Sequence, residues 1–430
     1  MEDTNTENLL RKTISDGVHF TVIQDTKFKQ NQLVVSFFLP LSQKTASAYA
    51  LLPLVLKRGC SELPDMTALN RRLKGLYGAH LDGSVVKRGE TQIVTLYCES
   101  LGDAYAFGGE QVLLECAGLL NAVIFDPALE NNCFKAKDVE IERRNLIDQI
   151  DSILNEKRSY ATMRLKEEMC ANEAYGISEL GRREDAEAVT PEALFEAWGQ
   201  MLKTARAEIF LVGSGDAAPI EKLFSDSFAR VGRDAVEQVQ TVVIKEPGEA
   251  KTVIERLPVT QAKLVMGLRA GMASPENTDA MQLAVAILGG TPHSKLFANV
   301  REKMSLCYYC LSYFERQKGL VFIDSGIEEQ NYEQARGEIL HQLEELKAGS
   351  FSDDDICFAK LSLQNSFTQV TDSLDALAVY YLSQSISGAI RTPAESAAGI
   401  MGVTREEIID AAQKIALDTV YLLAGEKEGA

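Results

Sequence analysis

The residues best suited to metal or thiol chemistry are few and scattered. No two of the four histidines have the i, i+4 spacing that places paired imidazole ligands on one helix face; they are His19, His80, His293 and His341, on four separate predicted elements. One CxxC motif occurs, at Cys307 and Cys310. A structural zinc site needs a second such pair nearby, and the sequence has none. Because the motif is predicted to follow a helix and enter a strand, the pattern favours two small packed residues over a redox centre.

Two further arrangements have chemical potential but little support from the sequence. The glycine-rich stretch from Gly289 to Ser294 precedes a predicted helix and could hold an anion. It lacks the lysine and Ser/Thr spacing of a phosphate-binding loop, so a flexible loop with Ser294 as helix N-cap is favoured. His293 and Cys307 could form a thiol-imidazole pair, but nothing in the sequence brings them together.

Composition restricts the classes of function. The 430 residues suit two or three domains, and 46% hydrophobic with 25% charged residues is ordinary for a globular protein. A net charge of −18 argues against binding nucleic acid, because phosphate contacts need a basic surface. No apolar run approaches membrane-spanning length. The acidic, polar start and the scattered cysteines are typical of a cytoplasmic protein with reduced thiols.

The elements that must position any site are repeated along the chain. The same spacing of 230 residues separates Gly59 from Gly289 and Gly89 from Gly319. Two apolar strand-like segments fit that spacing within a residue: 33–38 and 264–268. The repeat indicates a duplicated module.

Each half is predicted to contain strand, helix, helix, strand, strand, further helices and a closing strand. In the first half, a long helix is predicted from about Asp138 to Glu156, and another begins at Thr190 with proline in its first turn. The order predicts an α+β fold of two homologous modules, each a mostly antiparallel sheet with helices packed on one face. We expect an N-terminal module at 1–244, a charged Pro-Gly linker at 245–251, and a C-terminal module at 252–430.

One block of the second half carries a family resemblance. Gly289-Gly290, Ser294 to Phe297, Val300 to Lys303, and then Leu306 and Tyr308 resemble the C-terminal signature of the insulinase/pitrilysin-type zinc peptidases. The resemblance covers nearly the whole chain. It is strongest to the two-domain branch that includes mitochondrial processing peptidase and bacterial relatives, and it implies the same two-module architecture.

The resemblance also implies that the zinc site has been lost. Family members carry H-x-x-E-H on a helix of the first module, and this chain has Ala50 and Leu54 at the histidine positions and Pro53 at the glutamate position. On the later long helix, Glu142 matches the family's supporting acid, while Gln149 stands where a ligand glutamate belongs.

Chemistry agrees with loss of the metal. Ala and Leu offer no lone pair, and a neutral amide is a poor zinc ligand. A proline inside a helix costs roughly 3 kcal/mol, so we expect this helix to be kinked or to begin later. No metal or other cofactor is expected in this chain, and no nucleophile or activated water for peptide cleavage can be assembled from its residues.

Arg301 and Tyr308 are the family positions that this chain keeps. In two-domain members, an arginine and a tyrosine at this spacing contact the substrate peptide near the scissile bond. An arginine fork suits carbonyl or carboxylate recognition, and a tyrosine hydroxyl can support an oxyanion. The residues alone favour a solvated face near a helix end for Arg301 and a core position for Tyr308, and only the resemblance reverses this preference.

The resemblance therefore predicts a subunit that is inactive by itself. It would pair with a homologue that carries H-x-x-E-H and the zinc, close a chamber around an unfolded peptide, and supply Arg301 and Tyr308 for substrate binding. It is most similar to a bacterial pseudopeptidase group whose genes accompany a zinc-bearing homologue. Two alternatives stay open: a structural or scaffolding protein of the same fold, and a homodimeric peptide-binding clamp with no proteolytic role.

Overall fold

The computed structural model describes residues 5, 6 and 9–426, which form two compact units. The first unit contains the chain up to residue 151 with 177–240 and 373–382, and the second contains 152–176, 241–372 and the chain from 383 onward. The last strand of the first unit ends at Gly213, and the first strand of the second begins at Lys251. The division predicted at residues 245–251 stays a prediction.

The strands and helices follow in chain order. The strands are β1 (Asn5–Thr6), β2 (Leu9–Ser15), β3 (Val18–Gln24), β4 (Gln30–Pro40), β5 (His80–Arg88), β6 (Thr91–Leu101), β7 (Leu129–Glu130), β8 (Cys133–Phe134), β9 (Arg206–Gly213), β10 (Lys251–Arg256), β11 (Ala262–Arg269), β12 (Cys307–Glu315), β13 (Leu320–Ile327) and β14 (Ala416–Ala424). The α-helices are α1 (Ala46–Leu56), α2 (Met66–Gly75), α3 (Val112–Phe125), α4 (Ala136–Ser152), α5 (Lys157–Met169), α6 (Arg183–Glu187), α7 (Pro191–Thr204), α8 (Ala218–Val231), α9 (Asp279–Val285), α10 (Tyr332–Lys347), α11 (Asp353–Val370), α12 (Leu374–Ser387), α13 (Pro393–Gly402) and α14 (Arg405–Gln413).

The five strands of the second large sheet have the same topology as five of the seven strands of the first. The first has the order β1-β2-β3-β9-β4-β6-β5 and the second β10-β14-β11-β13-β12. In each, one parallel pair, β3 with β9 or β10 with β14, is followed by three antiparallel pairs. Strands β4 and β11, which contain the two repeated apolar segments, occupy equivalent central positions. The predicted duplication and the predicted α+β fold class are confirmed.

Helices cover the sheets through separate apolar cores. In the first unit, inward residues of β4, β6 and β9 pack with α1, α3, α7 and α8. In the second unit, residues of β11, β13 and β14 pack with α9, α10 and α14. The opposite face of this second sheet is covered by α5, whose Leu165 and Met169 pack with Val265 and Phe322. No helix in the described part of the chain is long and apolar enough to cross a membrane.

Local capping explains where the helices begin and end. Thr190 accepts a hydrogen bond from the Ala193 amide and Pro191 follows it, as the sequence predicted for this start. The long helix α4 ends at Ser152, before the predicted end at Glu156, and a 3₁₀ turn follows. Glu156 instead accepts the amides of Arg158 and Ser159, and thereby caps a new helix, α5.

Helix α1 runs from Ala46 through Pro53 to Leu56, so the expectation of a later start is wrong, while the alternative of a kink stays a prediction. Pro53 has no backbone N–H, so the helix lacks the hydrogen bond that this residue would otherwise donate to the Tyr49 carbonyl. Packing compensates, because nine of the eleven helix residues are buried. A Cβ added to Gly83 on β5 would lie 2.8 Å from the Pro53 Cβ, so a glycine in this strand makes room for the proline ring.

Candidate functional site

The positions where the resemblance predicts lost zinc ligands lie in the first unit, on helices α1 and α4. Ala50 is 2% exposed, and Leu54 packs half-buried against the apolar core. Pro53 is buried in the same helix, and Gln149 lies on the exposed side of α4. Within residues 5, 6 and 9–426, no cluster of three or more His, Cys, Asp or Glu side chains is arranged to hold a metal ion.

An arginine that the sequence interpretation missed occupies the surroundings of Glu142. Arg58, just beyond the end of α1, donates to Asp138 at 2.8 Å and to Glu142 at 2.6 Å. Asn145 donates to the other Glu142 oxygen at 2.9 Å, so both oxygens of this carboxylate are engaged. Burial opposes the charge of Arg58, but hydrogen bonds and charges from Glu142 and Asp138 outweigh it and raise its pKa. The group therefore links α1 to α4 as a structural ion cluster.

We expect Glu142→Gln to destabilise the first unit by about 1.5–3 kcal/mol, because the mutation weakens hydrogen bonds between charged, largely buried groups. Urea unfolding measures the change. Glu140→Gln on the same helix is the matched control, because Glu140 pairs with Arg143 and Arg144 at the surface and should matter little. Equal effects of the two mutations would contradict a special role for the buried cluster.

We also expect the purified protein to hold well under one equivalent of zinc, because the side chains of Ala50, Pro53, Leu54 and Gln149 are poor or impossible ligands. Metal analysis after dialysis against trace zinc tests this, with a zinc-bearing homologue as the control. A tight site near one equivalent that is lost on mutating α1 or α4 would contradict the prediction.

The other predicted residues, Arg301 and Tyr308, lie in the second unit. Arg301 belongs to a π-helical segment, Phe297–Lys303, a geometry that often occurs at functional sites. Its guanidinium lies over the Phe297 ring at 4.6 Å, and its Nε is 3.5 Å from the Glu302 carboxylate. These contacts orient the side chain while leaving it 41% exposed. The chain then turns at Ser305, whose φ is +53°, and enters β12.

A β-bulge presents Tyr308 to solvent. Cys307 pairs with Ile327 and Tyr309 pairs with Gly326, so Tyr308 is an extra residue between two consecutive register positions of β13. Bulges bend a strand and re-aim its side chains. Tyr308 is 70% exposed, so the alternative expectation that it packs in the core is wrong. Its neighbour Tyr309 instead donates to the buried Asp324 at 3.1 Å.

Arg301 and Tyr308 line the same pocket, of about 460 Å³, and the structure therefore brings the two predicted residues together. Glu302, Glu328 and Asn331 complete its polar wall. An arginine fork and a phenol hydroxyl can donate to peptide carbonyls, while the carboxylates can accept from peptide amides. The sequence signal for Glu302 was its position next to Arg301. Glu328 and Asn331 carry no local signal, because they reach the pocket only through the pairing of β12 with β13.

Known proteins are similar to this chain in sequence and in fold. Residues 188–363 match the family model described as the peptidase M16 inactive domain. The chain is 32% identical over 421 residues to the probable inactive metalloprotease YmfF of Bacillus subtilis (strain 168), covering 97% of this chain and 98% of that protein.

Solved structures share the fold. A conserved protein from Enterococcus faecalis V583 is 27% identical, with a TM-score of 0.90 over 99% of this chain and all of that chain (100%). A peptidase M16 inactive domain from Pseudomonas fluorescens is 16% identical, with a TM-score of 0.79 over 98% of both chains. At 16% identity, the similarity to the Pseudomonas fluorescens structure shows only that the fold is shared.

Proposed function

The chain belongs to the M16 peptidase family, beside its inactive members, and from this premise we propose that it is a peptide-binding subunit that pairs with a zinc-bearing homologue. By itself it is a catalytically inactive, peptidase-like protein. The zinc would reside in the partner only. The two subunits would close a chamber around an unfolded peptide, and this chain would contribute binding groups to the composite site.

The observation that carries the proposal is the shared pocket of Arg301 and Tyr308. Positions that would hold a metal contain Ala50 and Leu54, which cannot bind one, whereas both substrate-contact positions keep side chains that can donate to a peptide. A scaffolding role alone would give no reason to keep an exposed tyrosine on a bulge beside an exposed arginine.

The chemistry of the pocket defines what each group would do. Arg301 would hold a peptide carbonyl or a carboxylate through its guanidinium fork. Tyr308 would donate its hydroxyl proton in a hydrogen bond to the oxyanion that develops when the scissile carbonyl is attacked. The partner's zinc would supply the activated water. The net charge of −18 and the carboxylates of Glu302 and Glu328 favour cationic or amide-rich peptides over acidic ones.

Binding to this chain alone tests the proposal first. We expect a fluorescein-labelled, unfolded cationic peptide to bind, and Arg301→Ala to raise its Kd by at least about 10-fold, because a hydrogen bond to a charged group is lost. Fluorescence anisotropy gives the Kd. Arg144→Ala is the control, because Arg144 is 73% exposed and lies on α4 of the first unit.

Two outcomes of the binding test have distinct meanings, and a second measurement separates the modes of assembly. Weaker binding by Arg301→Ala but not by Arg144→Ala supports the peptide site. Unchanged binding by both variants contradicts it and favours the scaffolding alternative. Sedimentation of the chain with and without the zinc-bearing homologue separates the heterodimer from a homodimeric clamp, since the clamp would form without the homologue.

A further inference from the structure

The two cysteines of the CxxC motif, Cys307 and Cys310, lie on the same face of β12. In a regular strand, residues three apart point to opposite faces. Here the bulge at Tyr308 adds one residue, so Cys307 lies opposite Ile327 and Cys310 opposite Ser325, two register steps apart on β13. The two thiols interact, and each shifts the pKa of the other. The two cysteines pack against the apolar core, as the sequence predicted, and they are also paired on one face.

The two thiols differ in access. Cys307 is half-buried and lines the pocket that contains Arg301 and Tyr308. Cys310 is 5% exposed and lies behind it. A reagent that enters the pocket would therefore reach Cys307 before Cys310, and the sulfur of Cys310 would be placed to attack a group attached to Cys307.

The electrostatics also separate the two thiols. The hydrogen bond from Cys310 lowers the pKa of Cys307 to about 7; burial opposes this shift, while Ser325 and the charge of Arg301 assist it. The same hydrogen bond, together with burial, raises the pKa of Cys310. The carboxylates of Glu302 and Glu328 also line the pocket and oppose a thiolate there. Near pH 7 the inner thiol, Cys310, therefore stays protonated, whereas the outer thiol, Cys307, is partly ionised.

We propose that Cys307 is a site of reversible thiol modification by small-molecule disulfides such as oxidised glutathione, with Cys310 as the resolving thiol. The inference stands on the bulge geometry and on the pocket, and it does not depend on peptide binding by this chain.

The modification proceeds by two successive thiol–disulfide exchanges. The Cys307 thiolate attacks one sulfur of oxidised glutathione, the glutathione disulfide bond breaks, and one glutathione thiolate leaves and takes up a proton. Cys310 then loses its proton and attacks the Cys307 sulfur, which forms the Cys307–Cys310 disulfide and expels the second glutathione. The protein dithiol is oxidised by two electrons, and one glutathione disulfide is reduced to two thiols.

The other cysteines provide internal controls. Four of the eight are buried away from this pocket: Cys60, Cys98, Cys116 and Cys170. Burial raises the pKa of Cys116 and Cys170 to about 12, so both should be inert. Cys357 is exposed and would be the first target if exposure alone decided reactivity.

The first test maps alkylation of the folded wild-type protein by iodoacetamide, using mass spectrometry of its peptides. At pH 7, Cys307 should react at about half of its high-pH rate, whereas an ordinary thiol such as free glutathione keeps only about 3% ionised. Faster alkylation of Cys357, with Cys307 unlabelled, would overturn the proposal without the need for any variant.

The second test treats the protein with oxidised glutathione. Wild type should lose two hydrogens in intact mass and yield a peptide cross-linked between Cys307 and Cys310. Cys310→Ser should instead accumulate one glutathionyl group on Cys307, and the Cys357→Ser control should match wild type. A mixed disulfide that persists on Cys307 in the wild-type protein would overturn the resolving role of Cys310. Glutathionylation confined to Cys357 would overturn the site itself.

Discussion

Tyr308→Phe should lower turnover by about 10²–10³ in a pair reconstituted from this chain and its zinc-bearing homologue, while assembly stays intact. The reason is that removing one donor to an oxyanion typically costs that factor. Tyr308 is 70% exposed on its bulge, so phenylalanine should be tolerated without loss of folding. Single-turnover and steady-state rates on an unfolded peptide provide the measurement.

The kinetic pattern distinguishes the possible roles of the hydroxyl. A fall in kcat and kcat/KM together means that Tyr308 acts in the transition state, whereas a rise in KM alone means uniform substrate binding. Tyr105→Phe is the matched control, because Tyr105 is another exposed tyrosine, at 47%. If Tyr308→Phe and Arg301→Ala both equal wild type within error, the composite site is wrong.

Arg11→Met should destabilise the first unit by at most about 3–5 kcal/mol, the usual cost of breaking a buried ion pair, because Arg206 remains paired with Glu208. Arg11 and Glu208 are 2% and 0% exposed, and two hydrogen bonds of 2.6 and 2.8 Å join them. Because Met keeps most of the side-chain volume, the decrease in the free energy of unfolding measures the contribution of the Arg11–Glu208 ion pair. Urea unfolding measures it, and Lys12→Met is the control, because Lys12 pairs with Glu221 at the surface.

The contribution of this pair should also depend on pH. Burial acts to raise the pKa of Glu208, but hydrogen bonds from Arg11 and the charges of Arg206 and Arg11 lower it below its ordinary value of 4.5. A lowered folded-state pKa stabilises the protein fully above the unfolded value, and the gain is lost as the pH falls through the folded one. Wild type should therefore lose this contribution below about pH 4.5, and Arg11→Met should show a flatter acid limb. Identical acid limbs in both proteins would contradict the assignment.

The fold was predictable from the sequence because the duplication leaves similar local features at equal spacing along the chain. Glycines at equal spacing and two apolar segments are local features, and they identified β4 and β11 as equivalent strands. The earlier end of α4 at Ser152 and the new helix α5 after Glu156 were not predicted, because the helical spacing of apolar residues conceals a cap such as Glu156. Tertiary packing also keeps Pro53 inside α1, against its intrinsic preference.

The candidate site was predictable only in part. Arg301 and Tyr308 were found through resemblance, and their meeting in one pocket depends on a π-helical segment and a bulge, neither of which has a sequence signature here. The same bulge brings Cys307 and Cys310 to one face, which a period of two residues would forbid. Arg58 was missed because its partners, Asp138 and Glu142, lie about 80 residues away in the chain.

The central claim is that this chain has no peptidase activity by itself but enables cleavage by its zinc-bearing homologue. Cleavage of an unfolded, internally quenched peptide should be measured for this chain alone, for its zinc-bearing homologue alone, and for an equimolar mixture. We predict no cleavage by this chain, little or none by the homologue, and rapid cleavage by the mixture. Cleavage by this chain alone, or a mixture no faster than the homologue by itself, would contradict the account.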